Sequence, residues 1–184
     1  MIIIGITGTL GAGKGTIVEY LVENKGFIHY SVRAYLLEKI RKQGLEENRD
    51  NMFRLGNELR TSYGSSYIID QLYHRAMVAQ QNCVIESLRT PGEINALRNK
   101  DHFYLLAVDA DPELRYQRII LRQSETDRVS RKTFLEDEER EMNSVDPNKQ
   151  NLKKCIEMAD YMLLNNGTKT DLIFQLEKVL DQVC

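Results

Sequence analysis

Apolar positions along the chain come in two kinds: short continuous runs, and longer stretches in which they recur every three or four residues. The first run, Ile2 to Thr7, is β-branched and reads as a strand buried on both faces, with a helix following from Lys14. Phe27 to Tyr30 is a short second strand. Helical stretches cover Val32–Gln43, Arg49–Ser62 and Ser65–Gln80, the middle one with Met52, Leu55 and Leu59 at helical spacing. Cys83 to Ser87, Phe103 to Val108 and Tyr161 to Leu164 read as three more strands. Pro91-Gly92-Glu93 and Asp111-Pro112-Glu113 each open a helix with proline at its favoured early position, and Thr168 or Thr170 is placed to cap a closing helix. Strands separated by helices predict βαβ units, hence an α/β fold: a five-stranded parallel sheet with helices on both faces, in three layers.

One region breaks the alternation. Ser124 to Asn148 is highly charged, with Arg128, Arg131, Lys132 and Arg140 among many acids. It reads either as a solvated helical excursion or as a charged helical lid, about 123–148, whose arginines close over phosphates.

Composition narrows the class. The 184 residues fit one domain with room for a sizeable core, and 28% charged with 42% hydrophobic residues excludes a disordered or fibrous chain. A formal net charge of −2 gives no global attraction to nucleic acid or to an anionic membrane, so an acidic ligand needs a local cluster of Arg and Lys. Cys83, Cys155 and Cys184 lack metal-ligand spacing and read as reduced thiols of a cytoplasmic protein. The apolar run at Met1 to Ile6 is too short for a signal peptide, and no stretch is long enough for a membrane span. Neither nucleic acid nor membrane is therefore expected as a partner, for a monomer or homodimer.

The chemistry enters after the first strand. Gly8-Thr9-Leu10-Gly11-Ala12-Gly13-Lys14-Gly15-Thr16 is a glycine-rich turn between a buried strand and a helix, the context a Walker A match requires. Glycines let successive amides point at one phosphate, and the helix adds its partial positive charge at the same spot. Gly11, Ala12, Gly13, Gly15 and Thr16 would cradle the ATP phosphates while Lys14 bridges the β- and γ-phosphates. This makes the expected fold that of the P-loop NTPases. At the end of the third strand, Glu86 is placed to fix Mg2+ through its waters. Gly15 stands where the usual pattern has a Mg2+-ligating hydroxyl, which here arrives one position later at Thr16. Arg54, Asn57 and Arg60 are expected to share roughly one helix face, suited to a nucleotide phosphate and base edge. Tyr63, Tyr67 and Tyr73 offer flat surfaces for a base, although tyrosines at that density are more often core.

The spacing Gly8-x-x-Gly11-x-Gly13-Lys14-Gly15-Thr16 resembles the adenylate-kinase group of nucleoside monophosphate kinases, and Gly5-Ile6-Thr7-Gly8-Thr9 also resembles dephospho-CoA kinases. By that resemblance, Glu86 and Arg89 match the first and last charged positions of a segment whose arginine grips the acceptor phosphate. Ser31-Val32-Arg33 resembles the start of the acceptor-side helix, so the acceptor region would span about 31–80. Arg118 and Arg122 resemble an Arg-x-x-x-Arg pair that lies against adenine and reaches the transferring phosphate. Arg128 and Arg131 are the lid candidates, and Gly167 belongs to a loop beside adenine. The resemblance implies an ATP- and Mg2+-dependent kinase acting on a nucleoside or deoxynucleoside monophosphate. Dephospho-CoA is the alternative acceptor, although the Asp expected after the second strand is absent, and a regulatory ATPase switch is a further one. A phosphate acceptor needs no general base, and none of His29, His74 and His102 falls where one would be obligatory.

Overall fold

The first strand is central because its side chains alternate between two cores. In the computed structural model, which describes residues 1–100, 102–122, 130–146 and 149–183, β1 (Ile3–Gly8) is buried along its whole length. Ile3 packs with Ile85 and Leu105 on one face, and Ile4 and Ile6 with Val84, Leu106 and Val108 on the other. Each such side chain removed from water contributes about 1.5–3 kcal/mol.

β1 lies in the middle of a five-stranded sheet with β2 (Ile28–Ser31), β3 (Cys83–Glu86), β4 (Phe103–Asp109) and β5 (Tyr161–Leu164), in the order β2-β3-β1-β4-β5. Every pairing is parallel, with Ile6 opposite Glu86 and Gly8 opposite Val108. The predicted α/β class, parallel sheet and strand set are therefore observed. Helices α1 (Lys14–Lys25) and α9 (Lys169–Val183) cover the face of Ile4 and Ile6. The other face is covered by α2 (Val32–Lys42), α3 (Arg49–Tyr63), α4 (Tyr67–Ala79), α5 (Pro91–Arg98) and α8 (Leu152–Glu157). Among the described residues no helix is long and apolar enough to cross a membrane.

The helix ends follow the expected signals. Thr90 and Glu93 form a reciprocal capping box at Pro91, Asp111 accepts from the Glu113 amide at the start of α6 (Pro112–Arg122), and Thr168 rather than Thr170 accepts from the Asp171 amide. All five strands end at one edge of the sheet, and the consecutive strands β3 and β4 lie on opposite sides of β1. That is the position at which open α/β sheets form a crevice.

The charged excursion is not simply a solvated helix. Its described part contains α7 (Arg131–Met142), on which Phe134, Asp137 and Glu141 are buried. Arg128 and the rest of 123–129 lie outside the described residues, as do 147 and 148.

Candidate active site

The loop from Gly8 to Lys14 turns at the end of β1 through backbone that side chains rarely adopt. Gly8 sits at φ 132°, and a Cβ there would lie 2.0 Å from the Val108 carbonyl oxygen. Gly13, at φ 103°, caps α1 with no side-chain hydrogen bond, so the first-turn amides are left to face a ligand. A Cβ on Gly13 would strike the Asn165 side chain at 2.2 Å. Asn165 Nδ2 donates to the Ala12 carbonyl at 2.8 Å, and Thr9 Oγ1 donates to Asp109 Oδ1 at 2.5 Å, so the loop is fastened to the ends of β5 and β4.

Lys14 Nζ donates to the Gly8 and Thr9 carbonyls at 2.8 and 2.7 Å, which hold the ammonium at the mouth of the loop. Burial, with the Arg89 guanidinium, pushes its pKa down to about 8, against the raising fields of Glu86 and Glu141. Lys14, Gly11, Gly13, Gly15 and Thr16 all line a cavity of about 820 Å³, with Ala12 fully buried behind them.

Arg118 and Arg122 line the same cavity from α6. Arg118 Nη2 donates to the Asn165 carbonyl, whereas its Nη1 is buried with no hydrogen-bond partner among the described residues. Gly167 does not line this cavity. It is exposed, and a Cβ there would meet the Asp171 carboxylate at 2.6 Å, so its place is explained by the cap of α9. Asn165 is the residue of that loop that reaches the Gly8–Lys14 turn.

Across the cavity, Glu86 closes β3 with its carboxylate 3.2 Å from His29 Nε2. Burial works to raise the Glu86 pKa, but the His29 hydrogen bond and the charges of Lys14 and Arg89 outweigh it and hold it below the usual carboxylate value. His29 thus belongs to the cavity, which its position in the sequence did not reveal. The chain leaves β3 through Ser87 in a left-handed conformation, φ 73°, a strained turn that redirects it toward Arg89. The Glu86 carboxylate and the Thr16 hydroxyl are hard oxygen donors lining the same cavity, a set that fits Mg2+ shared with phosphate oxygens and water. Among the described residues no group of three or more His, Cys, Asp and Glu could hold an ion without such help.

The arginines predicted on the acceptor side do not stay together. Arg33, Arg60 and Arg89 line the cavity, and Arg54 does not. Arg60 is 1% exposed and donates through Nε and Nη2 to Glu93 Oε1 at 3.0 and 2.7 Å, while its Nη1 is buried without a partner among the described residues. Glu93 Oε2 in turn accepts from the Arg89 and Thr90 amides. Arg60 is therefore first a brace for the segment that carries Arg89. Arg54 is off the cavity, 59% exposed and beside Glu58 and Asn51. The one-face expectation for Arg54, Asn57 and Arg60 is overturned: six residues advance a helix by about 600°, which sets Arg54 and Arg60 on different flanks. Asn57 lies between them, partly buried and outside the cavity lining, with its Oδ1 unbonded among the described residues. Replacing Arg54 with Ala should leave the KM of any acceptor within about twofold of wild type in steady-state assays, as for a surface change away from the site.

The tyrosines stand apart as well. Tyr63 is exposed and stacks on Tyr67 at 4.7 Å, and Tyr73 lies under Lys100. The aromatic residue that does line the cavity is Phe53, beside Met52, Leu36 and Leu37.

Helix α7 spans both ends of the site with one face, Phe134, Asp137, Glu138 and Glu141, spaced i, i+3, i+4, i+7. Glu138 accepts from Arg115 Nη1 at 2.6 Å. Arg115, 3% exposed, also donates to the Ala110 carbonyl and reaches the Leu10 carbonyl of the loop. Glu141 pairs with Arg89 and, at 2.8 Å, with Arg49 Nη2, while Asp137 lies 3.1 Å from Arg49 Nε. Arg140 adds an ion pair with Asp50 and stacks on Phe53 at 4.7 Å. The predicted lid arginine Arg131 instead pairs with Glu113 at the exposed start of the helix. Arg49, Arg115 and Glu141 carry no local motif, and nothing in the sequence pattern singles them out.

The chain is similar to known proteins over most of its length. The family model described as AAA domain matches residues 4–146. A UPF0200 protein of Methanococcus maripaludis strain C6 is 30% identical over 190 residues, covering 100% of this chain and 98% of the relative. Among solved structures, a sugar kinase from Janibacter has a TM-score of 0.58 at 14% identity, covering 98% of this chain and 95% of that one. The dephospho-CoA kinase of Campylobacter jejuni has 0.51 at 13%, covering 98% and 96%. At such identities these two structures are similar in fold alone. The loop, the sheet order and the match over most of the chain converge: the chain belongs to the AAA-domain family and to the UPF0200 proteins, with the fold of the P-loop kinases.

Proposed function

We propose that this protein is an ATP-dependent phosphotransferase that passes the γ-phosphoryl group to a nucleoside or deoxynucleoside monophosphate. One observation carries the reading. A single cavity is lined both by the glycine-rich loop and by Arg33, Arg49 and Arg89 together with the apolar Met52 and Phe53. Guanidinium groups suit a phosphate, and the apolar wall with one aromatic ring suits a base.

Phosphoryl transfer passes through a loose, highly charged transition state, so positioning and neutralisation supply most of the catalysis. Lys14 and the loop amides bind the donor phosphates, Arg118 holds the nucleoside end and Arg122 neutralises the moving group. Arg89 and Arg33 orient the acceptor, with Arg60 and Glu93 keeping the Arg89 backbone in place. Bound Mg2+, held by Thr16 and through water by Glu86, would supply charge neutralisation at the phosphates. Helix α7 contributes Glu141 to the lining of the cavity.

A second reading is favoured by the contact between His29 and Glu86. A histidine fixed by a carboxylate inside the cavity suits a hydroxyl acceptor such as dephospho-CoA, for which a base is useful. ATP consumption with AMP, CMP, GMP, UMP, dTMP and dephospho-CoA separates the two. ADP formed only with a monophosphate supports the first reading, and ADP formed only with dephospho-CoA supports the second. Equal ADP with and without acceptor contradicts both and points to a switch.

The Lys14 pKa gives a pH signature. With a folded value of about 8 against 10.5, the resting ammonium is lost as pH rises through 8, and ATP binding then requires proton uptake. Affinity for ATP should fall above pH 8, and calorimetry at pH 9 in buffers of different ionisation enthalpy should read uptake approaching one proton per site. At pH 7 the uptake should drop to about a tenth of a proton per site. Buffer-independent heats at pH 9 would contradict this role for the ammonium.

A further inference from the structure

We propose that Arg49 and Arg89 form the subsite for the acceptor's anionic group, and that Glu141 is the resident carboxylate which that group displaces. The inference rests on the phosphotransferase reading only for the word acceptor, because the subsite itself would take any phosphate monoester.

The geometry points to exchange rather than to a fixed brace. Arg49, Arg89 and Glu141 all line the cavity, so the pair they form lies on the path of an incoming ligand. One Glu141 oxygen accepts from Arg49 and the other from Arg89, with Gln150 Oε1 3.2 Å from Arg89 and Asp137 beside Arg49. Two guanidinium groups bring ten N–H donors to this point, and a carboxylate offers one charge and two oxygens. A phosphate monoester brings three terminal oxygens and up to a second charge, so it satisfies the forks more completely.

The mobilities of the two sides also differ. Arg89 follows a backbone fixed by Glu93, which accepts from its amide, and by the buried Arg60 beneath. Glu141 is the next-to-last residue of α7, in the turn that lacks onward helical support. A side-chain rotation or fraying of that turn frees the arginines without disturbing the sheet. The apolar wall of Met52 and Phe53 then lies beside the captured anion, as expected for an acceptor with a phosphate at one end and a base at the other.

Burial alone would raise the Glu141 pKa, but the charges of Arg89 and Arg49 outweigh it and hold the carboxyl below its usual value. The competitor is thus ionised at neutral pH. A ligand that must first displace it binds more weakly by the fraction of time the subsite is open.

The test uses inorganic phosphate as probe, titrated by calorimetry into the full chain after addition of Mg2+ and a non-hydrolysable ATP analogue. The heat of the analogue reports the donor site separately, and the phosphate titration is read whether or not the analogue binds. Glu141→Gln should bind phosphate about tenfold more tightly than wild type, the gain expected if the subsite is open about a tenth of the time. Glu139→Gln, an equal loss of charge at an exposed position of the same helix, should match wild type. In wild type, phosphate should also speed hydrogen exchange of the amides at 138–142. Equal or weaker phosphate binding by Glu141→Gln, or unchanged or slower exchange at 138–142, would overturn the proposal. Should Glu141→Gln fail to fold, the wild-type exchange result decides alone.

Discussion

Replacing Lys14 with Ala should lower kcat by roughly three orders of magnitude, because the ammonium is the one mobile cation the loop offers to charge developing between the β- and γ-phosphates. The fold should survive intact. Among the described residues Lys14 bonds only to the Gly8 and Thr9 carbonyls, and its depressed pKa means that the native environment disfavours its charged form. The sign follows: a lysine with a folded pKa below its unfolded value costs stability at neutral pH, and the cost is relieved as pH rises from about 8 to 10.5. Removing the side chain should therefore leave the thermal midpoint at pH 7 unchanged or higher while activity collapses. A variant that loses activity only in step with its stability would show that Lys14 acts through the fold.

The opposite outcome is expected at Arg60. Its guanidinium and the Glu93 carboxylate are 1% and 0% exposed, so Arg60→Ala strands a buried charge that keeps only two backbone amides. Breaking such a pair costs about 3–5 kcal/mol, which in a domain of this size lowers the thermal midpoint by roughly 10 °C. The same change should weaken turnover, since Glu93 also holds the Arg89 amide. A double variant, Arg60→Met with Glu93→Gln, should regain part of the lost stability because no charge is left alone. An Arg60→Ala protein with an unshifted midpoint and a raised acceptor KM would instead make Arg60 a direct ligand.

These two residues mark where the sequence can and cannot be read. Lys14 belongs to a motif whose parts are adjacent in the chain, and the same locality made the strands and the caps at Thr90, Asp111 and Thr168 legible. Arg60 was legible as a helical arginine but misread in phase, since helical rotation had to be counted before a shared face could be assumed for Arg54. The α7 contacts lay out of reach for another reason. Glu141 meets Arg49 and Arg89 at separations of 92 and 52 residues, and Arg115 reaches Leu10 across 105. Which carboxylate meets which guanidinium depends on how the finished sheet brings the helices together, and composition records only that both kinds are plentiful. The parallel register sets His29 of β2 opposite Val84, two positions before Glu86 on the same face of β3, and the two side chains meet across the adjacent strands.

The account depends on the turn between β1 and α1 binding nucleotide polyphosphate. Calorimetric titration of the wild-type chain with ATP in the presence of Mg2+ measures this directly, with Lys14→Ala as reference. Saturable binding at one site per chain is expected, shared by the non-hydrolysable analogue and strongly weakened in Lys14→Ala. No heat of binding with either nucleotide, or binding that Lys14→Ala leaves untouched, would contradict it.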